Sequence, residues 1–182
     1  MFRLASSLLT PIIDRRDNFV PKDAASTRAT ILTAAVQTLQ RGGVEGFTLE
    51  AVARRAGVVK GLILYHYASR SRLLRAAASQ IASTREAALE RALGSATGAH
   101  ELDACWEELR RQAEDGTGRA WLSLCAAGLI DRSARNGEFE EAARESIFDG
   151  ATTALASGVP LADARDAYDA LWLALLEVTA KN

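Results

Sequence analysis

Lys60, Tyr65, His66 and Arg70 lie in one short stretch, RRAGVVKGLILYHYASR, residues 54–70. An amine, a phenol, an imidazole and a guanidinium are all hydrogen-bond donors, and three of them are or can become cations. They are interleaved with Val58, Ile63 and Leu64 directly after Gly57. The set does not read as catalytic. The chain has two histidines, His66 and His100, and neither stands in a nucleophile, phosphate-loop or zinc-protease pattern. His100 and Cys105 are too far around a helical cylinder from each other to form a thiol site. The cysteines, Cys105 and Cys125, show no CxxC spacing and no nearby histidine at metal-ligand spacing. Reduced, packed thiols are expected, with no metal, no cofactor and no enzyme activity. Donors set among apolar residues suit a different task, which is holding a polyanion.

The charges are divided in the same sense. Residues 22–75 hold nine Lys/Arg against three Asp/Glu, while residues 76–182 hold ten against eighteen. The overall net charge of −1 therefore hides a basic front and an acidic back. Such a split points to a front part that meets a polyanion and a back part that does not. Apolar residues make up 48% and charged residues 25%, an ordinary balance for a folded soluble chain. The longest apolar run, from Ala120 to Ile130, is too short to span a bilayer, which needs about 20 residues. The opening MFRLASSLLTPII is interrupted by Pro11 and lacks a cleavage pattern. A cytoplasmic location is the expectation.

The elements that must position the donors are helices. Residues 1–23 carry Pro11, Pro21 and no sustained period, and read as a flexible N-terminal arm. From Ser26 onward alanine and leucine dominate, with no competing strand pattern. Ile31, Ala35 and Leu39 share one helical face, and Gly42-Gly43 ends that helix. Thr48 is a good N-cap for LEAVARRAG, which Gly57 closes. A third short helix is expected from about Val59 to Tyr67, and Ser69 caps a fourth that runs to about Leu93. Beyond GSATG, helices are expected near 101–114, 118–135, 138–156 and 161–179, with breaks at DGTG, RNG and SGVP. The fold class is all-α: a three-helix head over residues 24–70 and a helical bundle over 71–182.

Two short helices joined by a tight glycine turn make a helix-turn-helix. Gly57 can take the positive φ that the turn demands. Val52, Ala56, Val58 and Ile63 fall where the pair must bury apolar groups. Val59, Lys60, Leu64 and Tyr65 are left on the outer face of the second helix of the pair. A helix showing one cation and a phenol, beside several arginines, fits a DNA major groove. The plainer alternatives are a helical hairpin with solvated charges, or an interaction module without DNA binding.

The stretch from Arg28 to Leu74 resembles the DNA-binding domain of TetR-family transcriptional regulators. Its pieces come in that family's order: an alanine-rich first helix, G-x-x-x-x-T before the second, A-x-x-A-G-V at the turn, a glycine in the third, and an aromatic run ending in Ser plus a cation. The resemblance implies an all-α homodimer whose heads bind a palindromic DNA operator and whose variable second domain takes a small-molecule effector that releases the DNA. It implies that Thr48 caps the second helix and meets phosphate. It implies that Val59, Lys60 and Leu62 face base edges, and that Tyr65, His66 and Arg70 hold the DNA backbone. Tyr67 would pack under the third helix. Two positions depart from the family's habit: Val59 stands where Ser or Thr is common, and Leu64 where Tyr is common. Val59 can still touch a thymine methyl, and Tyr65 can take over the missing phenol's contact.

The second half has fewer markers. Ile147, Phe148, Ala151 and Leu155, then Tyr168, Leu171, Trp172, Leu175 and Leu176, form wide apolar stripes. Stripes this wide bury more than one surface, so a homodimer interface is expected to use Phe148, Ala151, Leu155, Leu171 and Leu175. Trp106, Trp121, Cys125, Phe139 and Trp172 are candidates for the lining of an effector pocket, although aromatic residues also serve as plain core.

Overall fold

The computed structural model describes residues 24–95, 99–130 and 139–179. The arm expected over 1–23 and the break expected at RNG lie outside these residues. Among the described residues there are eight helices and no strand: α1 (Ala24–Gly42), α2 (Leu49–Ala56), α3 (Lys60–Tyr67), α4 (Arg70–Leu93), α5 (Ala99–Glu114), α6 (Thr117–Ala126), α7 (Phe139–Ala156) and α8 (Leu161–Thr179). None of them is long and apolar enough to cross a membrane.

Two apolar cores are built along this chain. The first gathers Ile31, Ala35 and Leu39 of α1, Phe47 before α2, Val52 of α2, Ile63 of α3, and Leu73, Leu74, Ala77 and Ile81 of α4. Several of these side chains are fully buried, and each such burial contributes about 1.5–3 kcal/mol relative to exposure. The second core gathers Leu89 of α4, Cys105, Trp106 and Leu109 of α5, Ile147, Phe148 and Ala151 of α7, and Tyr168, Trp172 and Leu175 of α8. The first core runs past residue 70 into α4 and takes in Ala120 and Leu124 of α6. The head is therefore not sealed off at the boundary that the sequence suggests.

Helix α4 is 24 residues long, or about 36 Å at 1.5 Å per residue. Its first half belongs to one core and its last turns to the other. At the seam sits Arg85, only 4% exposed. Its guanidinium donates to Oε1 of Gln112 and to Oγ1 of Thr152 at 3.0 Å. It lies 3.5 Å from the Asp149 carboxylate and 5.0 Å from the Trp121 ring centroid. Four helices thus meet on one buried cation.

A second join links α1 to α6. Gln40 Nε2 donates to Thr117 Oγ1 at 2.9 Å. Gly116, the N-cap of α6, has φ 83°, and a Cβ there would run into the Gln40 carbonyl. Helix α6 is shorter than the expected helix over 118–135. It stops at Ala126, because Gly128 turns left-handed at φ 65° and Leu129 N–H bonds back to Leu124 O at 2.9 Å. The reversal returns Leu129 and Ile130 to the first core, a gain that alanine's helix preference does not outweigh.

Gly116→Ala should lose about 2–4 kcal/mol of stability, from left-handed strain together with the collision against backbone. Urea unfolding checks this through a lower midpoint at unchanged slope.

Candidate nucleic-acid interface

The turn that sets α3 is fixed locally. Thr48 Oγ1 accepts the Ala51 N–H at 3.0 Å and starts α2. Gly57 ends it in a left-handed conformation, φ 67° and ψ 31°, and Val58 N–H bonds to Ala53 O at 3.0 Å. Val59 then occupies the N-cap of α3 in extended backbone. Ile63 and Tyr67 point into the head and are buried. The opposite side of α3 is left open: Val59 is 74% exposed, Leu64 39% and Tyr65 81%. Lys60 and Gly61 are exposed, while Leu62 and His66 are half-buried. Of the outer-face residues, Lys60 departs from a free donor. It forms an ion pair with Glu50 of α2 at 2.5 Å. That hydrogen bond holds the Glu50 carboxyl below the usual carboxylate range.

The aromatic run after Lys60 is anchored from behind. The Tyr67 hydroxyl donates to Arg28 O at 3.0 Å, and burial raises its pKa. The Arg28 guanidinium lies 4.5 Å from the Tyr67 ring centroid and donates to His66 O at 3.2 Å. The His66 ring meets the Tyr65 ring edge-on, with centroids 5.2 Å apart. Arg70 is exposed but tied down. Its Nε donates to Phe47 O at 2.9 Å and its Nη2 reaches Val44 O at 3.4 Å. It therefore satisfies the loop between α1 and α2 in addition to offering charge. Around this surface Arg28, Arg41, Arg54, Arg72 and Arg75 are all exposed.

Sequence reasoning missed three participants: Arg28, Glu50 and Ala68. The Glu50–Lys60 pair spans the turn, so no helical spacing rule discloses it. Ala68 closes α3 at φ 61° and ψ −35° and is the one described non-glycine residue with positive φ. An aromatic run ending in Ala-Ser carries no mark of that strain.

The residues singled out in the second half are dispersed. Trp106 and Trp172 pack with Tyr168 at centroid distances of 5.3 and 6.2 Å, in the second core. Trp121 instead faces a small cavity of about 40 Å³ lined by Ala82, Arg85, Leu89, Phe148 and Asp149. Its indole N–H donates to Asp149 Oδ1 at 2.9 Å. A neighbouring opening of about 220 Å³ between α4 and α7 shares Glu86, Leu89, Glu145 and Phe148 with it. Cys125 is half-buried and lines neither, and Phe139's side chain lies outside the described residues. The Cys105 thiol is buried, and burial pushes its pKa up to about 12, so it stays protonated. Of the residues expected at a dimer interface, Phe148, Ala151 and Leu175 are taken up by the core of the single chain, and Leu155 packs beside them. Leu171 remains 50% exposed, in the company of Leu173 at 61%, Leu176 at 51% and Val178 at 45%.

The fold and the head define the class: an all-helical chain, among the described residues, with an N-terminal helix-turn-helix. Residues 31–77 match the family model described as bacterial regulatory proteins, tetR family. The chain is similar in structure to a protein described as a TetR-family transcriptional regulator from Rhodococcus sp., at 21% identity and TM-score 0.51, over 86% of this chain and 98% of that one. It is similar to a gamma-butyrolactone receptor described as ArpA-like, at 24% identity and TM-score 0.52, over 85% and 88%. It is also similar to the TetR-family protein CprB from S. coelicolor A3(2), at 25% identity and TM-score 0.50, over 85% and 88%. Among curated proteins nothing matches. The family match thus covers the head, residues 31–77, and the rest of the chain shares the all-helical fold of these structures.

Ala68→Gly should stabilise the chain by about 0.5–1 kcal/mol. Relief of positive-φ strain at alanine, about 1–2 kcal/mol, exceeds the extra entropy glycine carries when unfolded. A rise in the thermal midpoint checks it, and a fall would contradict the strain.

Proposed function

We infer that the chain is a ligand-responsive transcriptional regulator. Two copies pair through their C-terminal helices, their heads bind a palindromic operator, and a small molecule releases it. The observation that carries this reading is the head surface. An open third helix stands on a head in which residues 24–75 hold eight Lys/Arg against two Asp/Glu. Lys60 at the start of α3 serves base edges, where the first turn of a recognition helix reaches the groove. Thr48, Tyr65 and His66 serve phosphates, with Arg28, Arg54 and Arg72 adding charge. Arg70 contributes charge while holding the loop before α2.

Pairing is supported by what the single chain leaves uncovered. Helix α8 exposes Leu171, Leu173, Leu176 and Val178. On α7, Ala142, Ser146, Gly150 and Thr153 are exposed at helical spacing and allow close approach. Effector binding is assigned to the α4–α7 opening that leads toward Trp121. A small-molecule site generally needs about 300–1,000 Å³, so the two openings, at about 40 and 220 Å³, must both merge and widen. Parting α4 from α7 there would shift α4, whose first half is packed into the head.

DNA binding by the wild type should weaken steeply with salt, as counterions are released from the duplex. At fixed salt, Lys60→Ala should cost about 1–3 kcal/mol on the best operator and less on scrambled DNA. Glu50→Gln should act in the opposite direction. It frees Lys60 and removes a negative charge next to DNA, tightening binding by about two- to fivefold, the scale of an exposed ion pair. Fluorescence anisotropy on a selected operator reads both. If neither substitution moves the affinity, α3 is not in the groove and the regulator reading fails.

Leu171→Glu combined with Leu176→Glu should convert a dimer into a monomer by sedimentation velocity, with unchanged helix content. Both side chains are exposed within one chain, so the fold tolerates the charge. A wild type that is monomeric at micromolar concentration would sink the pairing.

A further inference from the structure

The outward side of α3 has few hydrogen-bonding groups to offer a base. Val59, Leu64 and Tyr65 dominate it, at 74%, 39% and 81% exposed. Lys60, the one cation of that turn, is engaged by Glu50. One helical turn before Tyr65, on the same side, stands Gly61. A Cβ added there would meet nothing within 4 Å, and its φ is not positive. Nothing inside the chain demands glycine at that place, and glycine weakens a helix relative to alanine. The clearance it leaves faces outward.

We propose that this face reads thymine. Val59, Leu64 and the Tyr65 ring contact the C5-methyl groups of thymines in the major groove, and Gly61 lets the base edges come close to the helix backbone. The proposal rests on the regulator reading and specifies what its half-site contains. The chemistry selects the target. Among base edges in the major groove, the thymine methyl is the apolar feature, whereas guanine N7 and O6 and cytosine N4 need hydrogen-bond partners. Apolar side chains pressed on a G·C edge would strip its water and return nothing. Exposed apolar side chains elsewhere would invite a protein. Here the same helix pair carries exposed cations, Arg54 on α2 and Lys60 on α3, and that complements a duplex.

The test begins with selection of an operator from a random duplex pool by the full chain. Each thymine of one half-site is then replaced in turn by deoxyuridine, which removes only the methyl. One to three positions should each lose about fourfold in affinity, the transfer value of one buried methyl group. The thymine-to-uracil ratio at those positions should fall toward one in Val59→Ala or Leu64→Ala. These variants trim exposed side chains and should keep their helix content. Gly61→Ala should fold normally, because its Cβ has open space, yet bind the operator at least tenfold more weakly. If the chain binds its operator but every uracil replacement is neutral, thymine reading is overturned and DNA binding stands. Uracil losses that persist unchanged in both alanine variants overturn it as well. A neutral Gly61→Ala overturns the close approach. Failure to bind any duplex at low salt brings down the regulator reading itself, and a protein partner becomes the occupant of the face.

Discussion

The buried guanidinium of Arg85 is the interaction on which the rest of the arrangement depends. It touches α5 through Gln112, α7 through Thr152 and Asp149, and the α6 indole of Trp121. A charge out of water is costly unless it is paired and hydrogen-bonded, and an apolar side chain of similar size can be as stabilising. What such a cluster supplies is geometry. Each donor direction of a planar fork accepts one placement of its partner. The helices around α4 are thereby held in one relative orientation at the point where one apolar core ends and the other begins. Asp149 serves twice, taking the Trp121 N–H as well as facing Arg85. The small cavity beside Trp121 opens onto this cluster.

From that seam, two rigid routes run to the head. Helix α4 is continuous from Leu89 of the second core to Leu73 of the first. Helix α6 carries Trp121 at the cavity and Gly116-Thr117 against Gln40 of α1. A packed core does not deform gradually, so a change in the spacing of α4 and α7 would be transmitted as displacement of whole helices. This is the physical basis on which an effector in the α4–α7 opening would act at a distance, and both routes start beside Asp149, which Arg85 of α4 and Trp121 of α6 each meet.

The head shows how a short helix serves two neighbours. Ile63 and Tyr67 fasten α3 inward, and Arg28 and Arg70 fasten the aromatic run and the preceding loop from either side. Both arginines satisfy backbone carbonyls, so the head's basic character is partly structural. The side chains left open on the outer side are Thr48, Val59, Lys60, Leu64 and Tyr65, with Lys60 shared with Glu50. The apolar residues at Val59 and Leu64 leave the outward face of α3 with few hydrogen-bonding groups.

Much of this was legible in the chain itself. Periodicity, Thr48, Gly57 and Ser69 set the head's helices to within a residue or two, because caps and positive φ are local demands that one or two residues satisfy. The exposure of Val59, Lys60, Leu64 and Tyr65 followed from the same spacing. The all-α class and the basic front needed only composition and order. Tertiary structure decided the rest. Whether Phe148, Ala151 and Leu175 cover a partner or their own core depends on which side α5 packs, and an apolar stripe does not encode that. Trp121 and Trp172 are alike as residues, yet one faces a cavity and the other fills a core, because α6 runs between the head and α7. The early stop of α6 at Ala126 reflects a long-range gain, the return of Leu129 and Ile130 to the head, which no local propensity contains. Arg85 looked like any helical arginine. Only the convergence of α4, α5, α6 and α7 buried it and gave it partners 27 and 67 residues away.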